Sequence, residues 1–304
     1  MKSKKVKELT NAQRAKVTQM EPLKENIFRD GVMVVTNYAL LRRNTGIMTH
    51  QPYRAKEPQF LLATSGEAEV EINGIGFQIH ANSVMVVPEC GTAEILSVSK
   101  DFTGYALTFP MLMCRLECLK LLSYPRLLAV SDMEAELLKD WFRLLHTLFS
   151  QPEENGEMTE QMVAFVLEYL LRLHRKDLSG HRLPTRSQET FNKFVSMVNL
   201  KVRRERNVAY YAGMLGVTVN YLTVVVKKFG SRSAKEWIEA AVVREAKMML
   251  KASQDNLETI SAALGFHNAA QFGTFFKKHT GKTPMEYRNG IVDSEGLGAG
   301  KNNS

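Results

Sequence analysis

"ISAALGFHNAAQFGTFFKKHTGKTPMEYR", residues 260–288, decides how the C-terminal third of this chain folds. Apolar residues at helical spacing run up to Gly265, a residue type that tolerates the left-handed backbone of a tight inter-helix turn. A second helical pattern follows, with Phe272, Phe275 and Phe276 on its apolar side and Lys277-Lys278 near its end. Thr283 stands three residues ahead of Glu286, with Pro284 at the first helical position. At that spacing a hydroxyl caps a helix start and the carboxylate reaches back to it.

A looser copy lies upstream: "VAYYAGMLGVTVNYLTVVVKKFG", residues 208–230. Leu215-Gly216 aligns with Leu264-Gly265 at an offset of 49. Beyond the turn Leu222 aligns with Phe272, Val226 with Phe276 and Lys227-Lys228 with Lys277-Lys278, at an offset of 50. Each copy reads helix, glycine turn, helix. Ser233 with Glu236, and Asp255 with Glu258, have the same capping spacing, so a long helix starting near Ser233 joins the copies. Its apolar side carries Trp237, Ile238, Ala241, Val242, Met249 and Leu250. A unit of about 45 residues can scarcely bury a core alone, but two braced on a shared helix can. Such a pair can read successive major-groove faces of a duplex, about 34 Å apart.

The charge distribution points to the same partner. Residues 190–290 hold 16 Lys/Arg against 7 Asp/Glu, a balance of +9, while the whole chain of 304 residues carries +8. A basic C-terminal domain on a neutral-to-acidic body fits double-stranded DNA first and a membrane surface second. No apolar run approaches the roughly 18 residues of a membrane span, so no membrane partner is expected. The basic start, residues 1–20, lacks the apolar core of an export signal and reads as a flexible tail, as do residues 291–304. Three cysteines, Cys90, Cys114 and Cys118, are too few for a disulfide framework and suit a reducing cytoplasm. Cys114 and Cys118, four apart, read as small packed hydrophobes.

Residues 21–125 read as a β domain, with period-two patterning from about 28 to 110. In "EAEVEINGIGFQI" the Asn73-Gly74 dipeptide favours a tight hairpin. Counting outward pairs Ile72 with Ile75, Val70 with Phe77 and Ala68 with Ile79, all apolar and on one face, while Glu69, Glu71 and Gln78 point away. Further short strands, "SVMVVP" and "DFTGYALTF", suggest a small antiparallel barrel or sandwich. Residues 126–175 then switch to helical spacing: Leu137, Leu138, Trp141, Leu144, Leu145 and Leu148, and after a polar break Met162, Phe165, Val166, Tyr169, Leu170 and Leu173. This is a helical hairpin, which either covers the β domain or makes a homodimer. Residues 176–189 read as a linker. The fold class is α+β: an antiparallel β domain with a helical hairpin, then an all-α double helix-turn-helix domain at 190–290.

The segment from Val208 to Arg288 resembles the DNA-binding domain of AraC-type bacterial transcription regulators, on the runs "YYAGMLGVTVNYL", "VKK", "SAKEWI" and the stretch first quoted. More loosely, the β domain looks like the cupin-like regulatory barrel often joined to it, and the hairpin like the family's dimerisation helices. The resemblance implies a transcriptional activator that meets RNA polymerase and responds to a small effector of unspecified identity. It also implies where bases are read. Asn220, Thr223 and Val224 occupy such positions in the first unit; Ala269, Ala270, Gln271 and Thr274 occupy them in the second. Asn and Gln can pair bidentately with adenine, and Thr or Val can meet a thymine methyl. Gln271 also has capping-box spacing from Asn268, so it can instead reach back to the helix start. Val224 and Thr274 stand where the family often has Arg or Lys, which removes a guanine contact. Thr218, Lys227, Lys228, Lys277, Lys278, Arg203, Arg204 and Arg206 are the phosphate candidates. Ser231 replaces the usual helix-terminating glycine, with Gly230 one place early, so the first recognition helix is expected to end out of step.

Enzyme chemistry has little to stand on. A cupin metal site needs clustered histidines, and His50, Glu57 and His80 are scattered. No P-loop, dinucleotide-binding glycine pattern or nucleophile elbow occurs, so neither a cofactor nor a metal is expected. The remaining alternative is a ligand-independent architectural DNA-binding protein whose barrel only dimerises.

Overall fold

The computed structural model describes residues 26–29, 32–36, 49–114, 118–150, 156–180 and 185–289. The two expected tails, 1–20 and 291–304, lie outside these.

Among the described residues ten strands make two antiparallel sheets. The larger has the order β1 (Asn26–Arg29), β2 (Val32–Val35), β9 (Thr103–Thr108), β4 (Gln59–Ser65), β7 (Ser83–Val87), β10 (Arg126–Ala129). The smaller runs β3 (Tyr53–Arg54), β8 (Thr92–Val98), β5 (Glu67–Ile72), β6 (Ile75–His80). The ladders of the two sheets do not join among the described residues, so the barrel is open, a sandwich of two layers. Period-two patterning specifies which faces are apolar but not which edges pair, so the sequence left barrel and sandwich open and the structure takes the sandwich. The hairpin keeps the expected register, with Ile72 opposite Ile75, Val70 opposite Phe77 and Ala68 opposite Ile79. Asn73 and Gly74 hold the turn with φ of 54° and 86°, as a two-residue turn of this type requires.

The alternation of side chains builds the layers. Val70, Ile72, Ile79, Ala93 and Ile95 of the small sheet meet Met85 and Val87 of the large one. The other face of the large sheet, with Val34, Phe60, Leu62, Val86 and Leu107, packs on the helical hairpin. That hairpin comprises α2 (Asp132–Phe149) and α3 (Gly156–Gly180), after a short α1 (Leu119–Leu122). Ser131 and Glu134 form a complete capping box at the start of α2. Its buried line is Ala135, Leu138, Phe142, Leu145 and Phe149, rotated from the expected stripe. Leu137 and Leu144 are left exposed, and Phe165 of α3 is 59% exposed beside the Trp141 ring, 4.9 Å away.

The C-terminal domain comprises α4 (Arg186–Lys201), α5 (Val208–Met214), α6 (Val219–Gly230), α7 (Ala234–Ala252), α8 (Leu257–Ala263), α9 (Ala269–Thr280) and α10 (Pro284–Asn289). The repeat is met element for element: α5 and α8 differ by 49 in number, and α6 and α9 by 50. The long helix α7 is buried on several sides. Trp237, Ile238, Ala241 and Val242 join the core of the first pair. One turn further on, Ala246, Met249 and Leu250 join that of the second. Between these stripes Arg244 and Glu245, 6% and 1% exposed, face the small β-sheet.

Candidate nucleic-acid interface

Each helix pair is built by capping and a left-handed glycine. Asn207 caps α5, accepting from the Ala209 N–H, and α5 meets α6 at 98°. Gly216 and Gly265 turn the chain with φ of 65° and 73°. The Thr218 hydroxyl accepts from the Tyr221 N–H at 3.1 Å and so starts α6. In the second unit the cap of α8 is Asn256, not the expected Asp255; its side chain accepts from the Thr259 N–H at 2.8 Å. Glu258, freed from capping, accepts instead from the N–H of Ala269 at 3.3 Å. Its charge thus sits by the first turn of α9, where the helix dipole favours it. Asn268 caps α9 through the Gln271 N–H at 2.8 Å.

The residues expected at base edges lie along the outer sides of α6 and α9. Asn220, Val224, Ala270, Gln271 and Thr274 are exposed, while Thr223 and Ala269 are half-buried. Both threonine hydroxyls donate to their own helix: Thr223 to the Val219 carbonyl at 2.8 Å, Thr274 to the Ala270 carbonyl at 3.1 Å. Their methyl groups and the acceptor lone pairs of the hydroxyls remain for a base. The Gln271 side-chain oxygen accepts from the His267 N–H at 3.0 Å, which leaves its second lone pair and the amide N–H groups for an adenine. Lys227, Lys228, Lys277 and Lys278 are exposed in the last turns of the two helices.

The three arginines ahead of α5 have different fates. Arg204 is exposed. Arg203 binds the buried carboxylate of Glu245. Arg206 lies over the Phe266 ring, 4.1 Å from its centre. Its Nη2 is buried without a hydrogen-bond partner, and burial pulls its pKa below the usual arginine value. Sequence spacing could place all three near a duplex; only tertiary packing turns two of them inward.

The end of α6 is not out of step. Ser231 itself takes the left-handed position, φ 56°, as Gly281 does after α9 with φ 77°. Both recognition helices are consequently 12 residues long. Gly230 answers a separate need: a Cβ there would collide with Trp237 and Phe191.

The outer face of the small sheet docks on α7, a contact that sequence reasoning missed. Arg54 binds Glu245. Glu71 pairs with Arg244 at 3.4 Å and Glu94 with Lys247 at 3.5 Å. Desolvation lowers the Arg244 pKa and the Glu71 carboxylate opposes it. The hairpin tip is pressed so close that a Cβ on Gly74 would lie 2.7 Å from Trp237. The one available signal was Arg244-Glu245 set between two apolar stripes of a helix. Behind the same sheet lies a cavity of about 40 Å³, lined mainly by apolar residues including Val70, Ile79, Met85, Ile95 and Phe102.

Among the described residues no three of His, Cys, Asp and Glu gather into a metal site. His80 pairs with Glu67 at 3.4 Å on the surface. Also among them, no single helix is long and apolar enough to cross a membrane.

Residues 211–290 match the family model described as a helix-turn-helix domain. YijO of Escherichia coli, named an uncharacterized HTH-type transcriptional regulator, is 27% identical over 147 residues, 48% of this chain. The match spans about half of that relative, 51%. YobQ of Bacillus subtilis, similarly named, is 22% identical over 256 residues, covering 84% of this chain and 96% of its own length. Among solved structures, ToxT of Vibrio cholerae with bound unsaturated fatty acid aligns over 88% of this chain and 97% of its own, at 15% identity and TM-score 0.43.

Proposed function

We propose that this chain, an AraC-type helix-turn-helix protein, is a sequence-specific DNA-binding transcriptional regulator. The observation that carries the reading is the duplicated unit itself. Two capped pairs with recognition helices of equal length are braced on one helix, each ending in exposed lysines. Asn220, Thr223, Val224, Gln271 and Thr274 are the proposed base contacts. Thr218, Arg204, Lys227, Lys228, Lys277 and Lys278 are the proposed phosphate contacts. Arg203 and Arg206 belonged to the same expected set, but their inward engagement argues for a different role. With no Arg or Lys at positions 224 and 274, the preferred sites are rich in A·T pairs. The regulator acts in the cytoplasm as an activator in contact with RNA polymerase, and it is not an enzyme.

Signal reception belongs to the β sandwich, and the exposed rim of α2 and α3, with Leu144 and Phe165, supports a homodimer contact. In the described arrangement the cavity has room for about three waters. An effector of metabolite size must therefore part the sheets. The small sheet is a single layer between cavity and α7, so parting it would move Arg54, Glu71 and Glu94 against their partners. Such a ligand shifts the docking equilibrium by its difference in affinity for the two arrangements.

Binding titrations over substituted duplexes at several salt concentrations test the DNA reading. Gln271→Ala is expected to cost about 1–3 kcal/mol at one base position; Lys278→Ala should weaken all sequences alike and lower the salt slope by about one. Equal losses at every base for Gln271→Ala would remove its base-reading role. Genome-wide mapping of bound sites, with and without a metabolite panel, separates a ligand-responsive regulator from an architectural protein. Occupancy indifferent to every metabolite would favour the second.

A further inference from the structure

Two recognition helices on one chain read a composite site well only if the angle and distance between them are held. Each base pair added between half-sites rotates the second by about 34° around the duplex. The stiffness of the joint sets the effective concentration at which the second unit meets its half-site once the first is bound. The brace α7 supplies part of that stiffness, but among the described residues the two units also touch directly: Phe266 and Phe275 both pack against the core of the first, and at one place a cation stacks across the joint.

That place is the loop before α5. Arg206 immediately precedes Asn207, the cap of the first unit. Its guanidinium lies over Phe266, which occupies the turn of the second unit, 4.1 Å from the ring centre. Phe266 packs against the cores of both units. It also contacts the rings of Phe272 and Phe275 on α9, with centres 5.4 and 5.2 Å away. It therefore moves with the second recognition helix. The backbone joins in: a Cβ on Gly265 would lie 3.6 Å from the Arg203 carbonyl. A surface phosphate contact would keep its guanidinium in water; here one nitrogen is buried with no hydrogen-bond partner. Guanidinium tolerates this better than ammonium, being weakly hydrated, planar and suited to stacking on an aromatic face.

We propose that Arg206 is a positioning residue for DNA recognition: stacked on Phe266, it locks the turn of the second unit to the start of the first and so sets the half-site spacing the protein accepts. This rests on the reading of the chain as a DNA-binding regulator. In that role Arg206 touches no base and leaves the affinity of each unit for its own half-site unchanged.

The test uses the full chain and a duplex selected by it from a random library, remade with one base pair inserted or removed between the two half-motifs. The wild type is expected to lose about tenfold or more in affinity at either altered spacing, each step turning one reader away from its groove. Arg206→Gln should flatten that profile to within about threefold while keeping the base preferences inside each half-site; Arg206→Lys, which retains a cation over the ring, should fall between. Phe266→Leu removes the ring and leaves the charge, and the same flattening is expected from it, so the test survives if either variant folds poorly. An unaltered spacing profile in both Arg206→Gln and Phe266→Leu overturns the proposal. So does an equal loss at all spacings with a salt slope reduced by about one, the mark of a phosphate contact. If the wild type selects no duplex at all, the DNA-binding reading itself fails, and the proposal with it.

Discussion

Ser231 is a side chain in a place made for glycine. Its φ of 56° is the left-handed conformation that costs an L-residue roughly 1–2 kcal/mol. Ser231→Gly is therefore expected to raise stability by about 1 kcal/mol, read as a higher urea midpoint at unchanged slope. The neighbouring change has the opposite sign. Gly230→Ala would drive a methyl into Trp237 and Phe191, and overpacking of this kind costs about 1–3 kcal/mol. Finding both glycine-type changes neutral would show that the end of α6 is looser than its contacts imply. The pair illustrates how residue-level expectation divides. That something unusual stood at 230–231 was visible from the order of the letters. Which of the two residues took the turn was not, because Trp237 had to be in place before position 230 became intolerant of a side chain.

At the scale of elements, the caps carry much of the definition. Ser233 accepts from the Glu236 N–H while Glu236 accepts from the Ser233 N–H, closing both donors at the start of α7. Ser233→Ala is expected to cost about 1 kcal/mol, measured by thermal or urea unfolding; because α7 braces both readers, part of that loss should also appear as weaker DNA binding. Capping boxes and periodic apolar faces are local, which is why α6, α7 and α9 were foreseeable from spacing. Where two caps competed, locality was insufficient: Asp255 and Asn256 are adjacent, and Asn256 won while Glu258 turned to the Ala269 N–H. In the hairpin, Leu137 and Leu144 fitted the helical period as well as Phe142 and Phe149 did. Which line became buried depended on the sheet that α2 packs against.

The whole molecule is organised around one helix, α7, gripped by two readers and by the β-sheet. The buried carboxylate of Glu245 receives Arg54 from the sheet and Arg203 from the loop leading to the first reader. Burying such a group adds little net stability over an apolar contact, but removing one partner leaves uncompensated charge. Glu245→Gln is therefore expected to destabilise by about 3 kcal/mol and to uncouple the β domain from the readers. Differential scanning calorimetry should then show two separated transitions in place of a single one. A single transition at the wild-type temperature would mean that the docking carries no energy.

The sequence by itself determined the reader helices and the register of the hairpin, the duplication of the reader and the polarity of its charge. These follow from periodicities of two and 3.6, from caps three residues apart and from the backbone freedom of glycine, all of which act over a few neighbours. The sequence did not foresee β10 inside the segment read as helical, nor that α3 runs to Gly180 and α4 starts at Arg186 within the segment read as linker. Tertiary structure alone decided that the barrel stays open, that Arg203 and Arg206 turn inward while Arg204 does not, and that the sheet rests on α7. Those outcomes depend on which surfaces meet after the elements exist. A solvated arginine and one engaged by the fold are written with the same letter, and only the partner across the gap, Glu245 or Phe266, tells them apart.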